Sequence, residues 1–405
     1  MRKSDKVLLD LLGNTLFDVP VKIPEDLDWT ALYEEAKAQA VFLLVFDAAG
    51  KVTRIPDEIS AKCTQKSIQY VFNNEQLLYE QQHVLALMRA HNIPCVILKG
   101  SSSALWYPNP ALRIMGDIDI LVPPVQQMEA VQILQADGYG EILDEDHHCH
   151  MTVSKNRISV EVHKEPNGLF LNVDDAINQK FHAYFADAIE KSRTMGEMQV
   201  LSDAHQAMVL VLHKLEHFLN GSLGLRQLCD WAVFVDRRMT QALWQSLKPA
   251  LEDMGILYFT GVITRVCVDF LKLPLKKAPW AMAYATELSE SVMQEILDAG
   301  NFGVKQNVQK YGQSFFTSIH ASNPASSFWN ALVKASKRNW APCAKYPVLL
   351  PIGACAVLVR HIQKRRSGQR AAFKPLVEMK QAKAQQALYK SLKPFGVEQK
   401  NDDVS

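Results

Sequence analysis

The stretch LKGSSSALWYPNPALRIMGDIDILV, residues 98–122, decides how the chain is read. It closes the apolar run CVILKG, residues 95–100, which is short, β-branched and ends in glycine, the pattern of a buried strand. DIDILV, residues 117–122, reads as a second strand, stopped by Pro123 and Pro124. Side chains at i and i+2 of a strand point to the same face. Asp117 and Asp119 therefore share one face, and Ile118 and Ile120 share the other. Two carboxylates about 6.6 Å apart on one face repel, and a divalent cation relieves that repulsion. Mg²⁺ takes oxygen ligands, typically one or two carboxylates together with substrate phosphates. An ordinary solvated sheet face gives the same alternation, so the surrounding sequence has to separate the two readings.

Working outward, Gly100-Ser101-Ser102 follows the first strand and opens a short helix. Such a turn exposes backbone N–H groups and lets a phosphate approach closely. Downstream, RISVEVHKE (157–165) alternates Ile158, Val160 and Val162 with Ser159, Glu161 and His163. Glu161 then faces away from the apolar side, and three carboxylates converge if the two strands are neighbours. HCHMTV (148–153) and RISVEVH (157–163), joined by SKN, read as a hairpin. His148 and His150, in DEDHHCH (144–150), share a strand face that can point at the carboxylates, and His163 shares the face of Glu161.

Around this core the periodicity is helical. Residues 29–48 contain neither glycine nor proline and read as one helix, and 67–91 read as another. Residues 126–136 form a helix ended by DGYG. From Ser202, a plausible cap, Ala204, Ala207, Met208, Val211, Leu212, Leu215 and Leu219 line one helical side. LRQLCDWAVFVDRR (225–238) is its partner. Helices, then a small mixed sheet, then helices give an α+β class. The expected organisation is a helical region at 1–92, an α/β core at 93–200, a helical domain at 201–305 and a helical basic tail at 306–405.

The order of apolar strand, Gly-Ser, helix, Asp-x-Asp strand and later strand carboxylate resembles the DNA polymerase β-like nucleotidyltransferase superfamily. The longer string 96–122, with its Lys-Gly, Tyr, Pro, Arg and Asp-x-Asp, is similar to a largely uncharacterised bacterial nucleotidyltransferase family often associated with polysaccharide gene clusters. The likeness extends through ISVEVHKE (158–165), LHKLEH (212–217) and LRQLCDWA (225–232), over residues 29–240. It implies a polymerase β-like core, a small mixed sheet flanked by helices, with helical N- and C-terminal regions. It further implies that Gly100 and Ser101 hold a triphosphate with Ser102 beside them. Asp117 and Asp119 would bind Mg²⁺ or Mn²⁺, and Glu161 would be a third ligand or a base. Many superfamily members carry aspartate there. His213, Arg226 and Asp230 would pack the helical domain against the nucleotide site, with His163 in support. Lys99 and Arg113 would neutralise phosphate charge, a surface salt bridge to a nearby acid being the alternative for each.

The expected activity is transfer of a nucleoside monophosphate from an NTP to an acceptor hydroxyl on a small molecule, glycan or protein. A nucleotide-sugar-dependent glycosyltransferase and a non-catalytic nucleotide-binding scaffold are the alternatives. A larger parallel sheet before the motif would favour the glycosyltransferase.

The remaining composition bounds these readings. The chain has 405 residues, is 48% hydrophobic and 21% charged, and carries a net charge of +1. Its seven cysteines contain no CxxC pair, against a disulfide framework or zinc ribbon. His213 and His217 lie four apart, but HKLEH is not the metalloprotease arrangement. No secretory leader is read, and the expected location is cytoplasmic. Residues 346–359 are apolar but too short to span a bilayer. The following basic stretch to residue 393 either lies on an anionic membrane surface or packs on the core. Little aromatic interleaving accompanies it, so no specific nucleic acid is expected.

Overall fold

The computed structural model describes residues 1–142, 149–166, 175–306, 340–366 and 386–396, with 329, 332, 333, 336 and 337. His148 lies outside them. The class is α+β as expected: a mixed sheet between helical regions. The sheet is larger than the sequence suggests. Among the described residues its seven strands are β1 (Val96–Ile97), β2 (Ile118–Leu121), β3 (Gly140–Ile142), β4 (His150–Lys155), β5 (Ile158–His163), β6 (Arg193–Met195) and β7 (Met198–Val200), in the order β3-β4-β5-β2-β1-β7-β6. Three of them, β3, β6 and β7, are three residues long, too short to leave a periodic signal. The β4–β5 hairpin forms as read, turning through Asn156 and Arg157, both at positive φ.

The central pairing is β2 with β5, parallel, with Asp119 opposite Glu161 and Leu121 opposite His163. Alternation then sorts the faces. Ile118, Ile120, Val153, Val160 and Val162 form one apolar cluster with Leu77, Val84, Leu85 and Met88 of α4 (Asp57–Ala90) and with Ala130, Val131 and Leu134 of α6 (Gln127–Ala136). The opposite face carries the polar residues. It looks towards α8 (Asp203–Leu219) and α9 (Leu225–Arg237). Ser202 caps α8, its Oγ accepting from His205 N at 3.3 Å.

The single helix expected over 29–48 is in fact two, α2 (Trp29–Ala38) and α3 (Phe42–Val52). The break falls at Gln39-Ala40-Val41, with Ala40 at φ 54°. Its cause lies far along the chain. The fully buried Gln39 side chain donates to the carbonyls of Ile296 and Leu297, at 3.2 and 3.3 Å, and accepts from Leu225 N at 3.1 Å. It thus serves an otherwise orphaned N–H at the start of α9.

One large core joins the helices at both ends of the chain. Leu8, Leu11, Leu12 and Leu16 of α1 (Lys3–Phe17) share it with α3 and with Phe259, Val262 and Val266 of α11 (Leu257–Leu271). Part of the basic tail also packs on this core. Tyr389 is buried with its ring 4.9 Å from that of Phe218, and Phe395 N donates to Gly255 O at 2.7 Å. Among the described residues no helix is long and apolar enough to cross a membrane.

Candidate functional site

The polar face of β2 and β5, the Gly100 turn, α8 and α9 enclose a cleft of about 210 Å³. Lys99, Gly100, Arg113, Asp117, Asp119, Glu161, His163, His213 and Asp230 all reach its lining, as does Arg226. The sequence-predicted groups from four separate segments therefore meet in one place. Ser101 and Ser102 do not reach it. Both are buried, and Ser101 Oγ donates to Gln81 Oε1 at 2.5 Å. Gly100 sits at φ 69°, ψ −108°, a conformation that L side chains rarely adopt.

Asp119 is 1% exposed. Its Oδ1 lies 3.3 Å from Lys99 Nζ and 3.1 Å from His163 Nε2, while Oδ2 is buried with no hydrogen-bond partner. Glu161 Oε2 also lies 3.1 Å from His163 Nε2. His163 thus bridges the two carboxylates. The sequence placed it beside Glu161, and the structure puts it between the acids.

The charges are tightly interdependent. Burial pushes the Asp117 carboxyl up and Asp119 adds to this, against Lys99 and Arg226. Burial also works against ionised Glu161, but the His163 hydrogen bond and Lys99 outweigh it and hold the carboxyl at about 2. For Lys99, burial opposes the charge, and the three carboxylates more than restore it. His163 follows the same pattern: burial is outweighed by Asp119 at its Nε2, with Cys149 and Glu161 adding to this, so its pKa stands well above the ordinary value.

Asp119, Glu161 and His163 can each present one ligand atom within 4.8 Å of the others. The partnerless Asp119 Oδ2 and the neighbouring Glu161 carboxylate suit a divalent cation, because a buried polar oxygen with no partner is costly. Asp117 lines the same cleft but falls outside that cluster.

Arg113 has a partner that sequence reading did not assign to it. Its Nε donates to Asp230 Oδ1 at 2.8 Å and its NH2 group to Oδ2 at 2.7 Å, and both residues are buried. Tyr107 OH donates to Asp230 Oδ1 at 2.7 Å. The alternative read for Arg113, a salt bridge to an acid, is thus present, but as a buried two-pronged pair rather than a surface one, and it clamps α9 to the segment leading into β2. Arg226 donates to Ile114 O at 3.1 Å and lies over the Phe302 ring. The His213 and His217 rings are 4.3 Å apart. Burial, then Lys99, pushes His213 well below its ordinary pKa and His217 down to about 3, so both rings are neutral. Neither belongs to a metal-competent cluster among the described residues.

Tyr107, Gln227 and Phe302 were missed as participants. Tyr107 lay in the quoted motif, but its partner Asp230 is far along the chain. Cys149 also lines the cleft, and its place in DEDHHCH was the available signal.

A family model described as an uncharacterised nucleotidyltransferase matches residues 25–272, more than half of the chain. No curated protein matches it.

Proposed function

The chain belongs to this uncharacterised nucleotidyltransferase family, within the polymerase β-like nucleotidyltransferase superfamily, and on that premise we propose that it transfers a nucleoside monophosphate from an NTP to an acceptor hydroxyl. The acceptor oxygen attacks the α-phosphorus, the bond from that phosphorus to the β-phosphate bridge breaks, and pyrophosphate leaves. The observation that carries this reading is the register of β2 against β5. It sets Asp119 opposite Glu161 in a cleft also lined by Asp117, Lys99 and the Gly100 turn. Mg²⁺ or Mn²⁺ held by Asp117, Asp119 and Glu161 would supply positive charge against the triphosphate and the departing pyrophosphate. Lys99 would neutralise phosphate oxygens, and the backbone at Gly100 would let a phosphate come close. Glu161, ionised throughout the physiological range, suits an oxygen ligand better than a base.

Mg²⁺-dependent thermal stabilisation across a panel of nucleotides tests the reading, because a ligand of the native state raises stability by mass action. Equal NTP binding by wild type and Asp117→Ala/Asp119→Ala would exclude the site assignment. A second reading, nucleotide binding without transfer, is favoured by His163, which occupies both carboxylates. It predicts nucleotide binding that survives chelator and gives no pyrophosphate with any acceptor tested.

A further inference from the structure

Beside the carboxylates, the cleft carries a second donor set, which shares His163 with the first and adds two residues that the nucleotidyl-transfer reading does not use. His150 and His163 are directly opposed in the β4–β5 register, with ring centroids 4.7 Å apart. Cys149 precedes β4, and its Sγ lies 3.4 Å from His150 Nδ1. Cys149, His150 and His163 can each offer a ligand atom within 4.8 Å of the others. Tetrahedral zinc, with bonds of about 2.3 Å to sulfur and 2.0–2.1 Å to nitrogen, sets its sulfur and nitrogen ligands about 3.5 Å apart. The observed sulfur–nitrogen spacing fits that value. A second observation is independent of spacing: His163 is 4% exposed, and its Nδ1 is buried without a hydrogen-bond partner.

We propose that Cys149, His150 and His163 hold a borderline-soft divalent cation of the Zn²⁺ class, at the end of the cleft next to Glu161. Thiolate and imidazole donors select zinc-like ions, whereas Mg²⁺ takes oxygen. Glu161 Oε2 lies on the Nε2 side of both rings, 3.8 Å from His150 and 3.1 Å from His163, where it can orient rings that present Nδ1 to the ion. Such an ion ties the start of β4 to the end of β5, and so fixes the strand that presents Glu161. Binding releases two protons to solvent, one from Cys149 and one from the imidazolium of His163, because the ligands are the thiolate and the neutral ring.

This inference does not depend on nucleotidyl transfer, and its test uses no nucleotide. The full chain, stripped with chelator and kept reduced, is titrated with Co²⁺ and followed by absorbance. One equivalent should give a thiolate-to-cobalt charge-transfer band that stoichiometric Zn²⁺ removes. Cys149→Ser should lose that band. Outer-shell partners of a metal are worth about 10–100-fold in affinity, so loss of a ligand in His150→Gln should weaken Zn²⁺ at least about tenfold. Asp117→Asn should keep the wild-type spectrum. A wild type without the band, or a Cys149→Ser protein with it, overturns the site. If Cys149→Ser does not fold, an unchanged Zn²⁺ affinity in His150→Gln overturns it equally.

Discussion

Removing the carboxylate of Asp230 should cost far more than losing a surface ion pair. Asp230 accepts three hydrogen bonds, two from Arg113 and one from Tyr107, at 2.7–2.8 Å, and it and Arg113 are each 5% exposed. Asp230→Ala leaves a buried guanidinium facing a void. Breaking one side of a buried pair costs about 3–5 kcal/mol, because the remaining charge stays desolvated. At about 2 °C per kcal/mol for a chain of this size, the unfolding midpoint should fall by roughly 6–10 °C. Tyr107→Phe removes one bond to a charged acceptor and should cost about 1.5–3 kcal/mol. The double variant Arg113→Met/Asp230→Leu removes both charges of the pair, so it should be less damaged than Asp230→Ala alone. Thermal and urea unfolding of the four proteins measures all of this. An Asp230→Ala midpoint within 2 °C of wild type, or a double variant no more stable than Asp230→Ala, would refute the clamp reasoning.

Lys214 tests burial by pH. Its Nζ donates to Leu210 O at 2.7 Å, and burial pulls its pKa down to about 7. The unfolded chain keeps that proton up to about pH 10.4, so it binds more protons over this window and stability rises with pH. Lys214→Met should therefore be more stable than wild type near pH 6–7, with the gap closing towards pH 10. A constant gap in urea unfolding would show that the lysine is not held neutral. Gly100→Ala should cost about 1–3 kcal/mol through backbone strain. Its Cβ would meet nothing closer than Asp117 O at 3.7 Å, so a neutral urea midpoint would mean that the turn can relax.

What could be read from the sequence follows the range of the physics involved. The shared face of Asp117 and Asp119, and of Glu161 and His163, is a local consequence of strand pleating and needed no tertiary knowledge. That β2 pairs with β5 did need it. The strands are distant in sequence, and only the fold sets Asp119 against Glu161. The Arg113–Asp230 clamp was hidden for the same reason, its partners being 117 residues apart. The interruption between α2 and α3 has no glycine or proline to announce it. It exists because Gln39 is recruited by Leu225, Ile296 and Leu297.

The sharing of one core by α1 and α11 has a consequence during synthesis. Leu8, Leu11, Leu12 and Leu16 leave the ribosome about 240 residues before the α11 surface that helps to cover them. At about 5–20 residues per second the wait is on the order of 10–50 s. The nascent chain must therefore carry an incompletely covered leucine stripe through that interval, with α2 and α3 available early to shelter part of it. Slowing translation upstream of residue 257 should lengthen that exposure and raise the demand for chaperones.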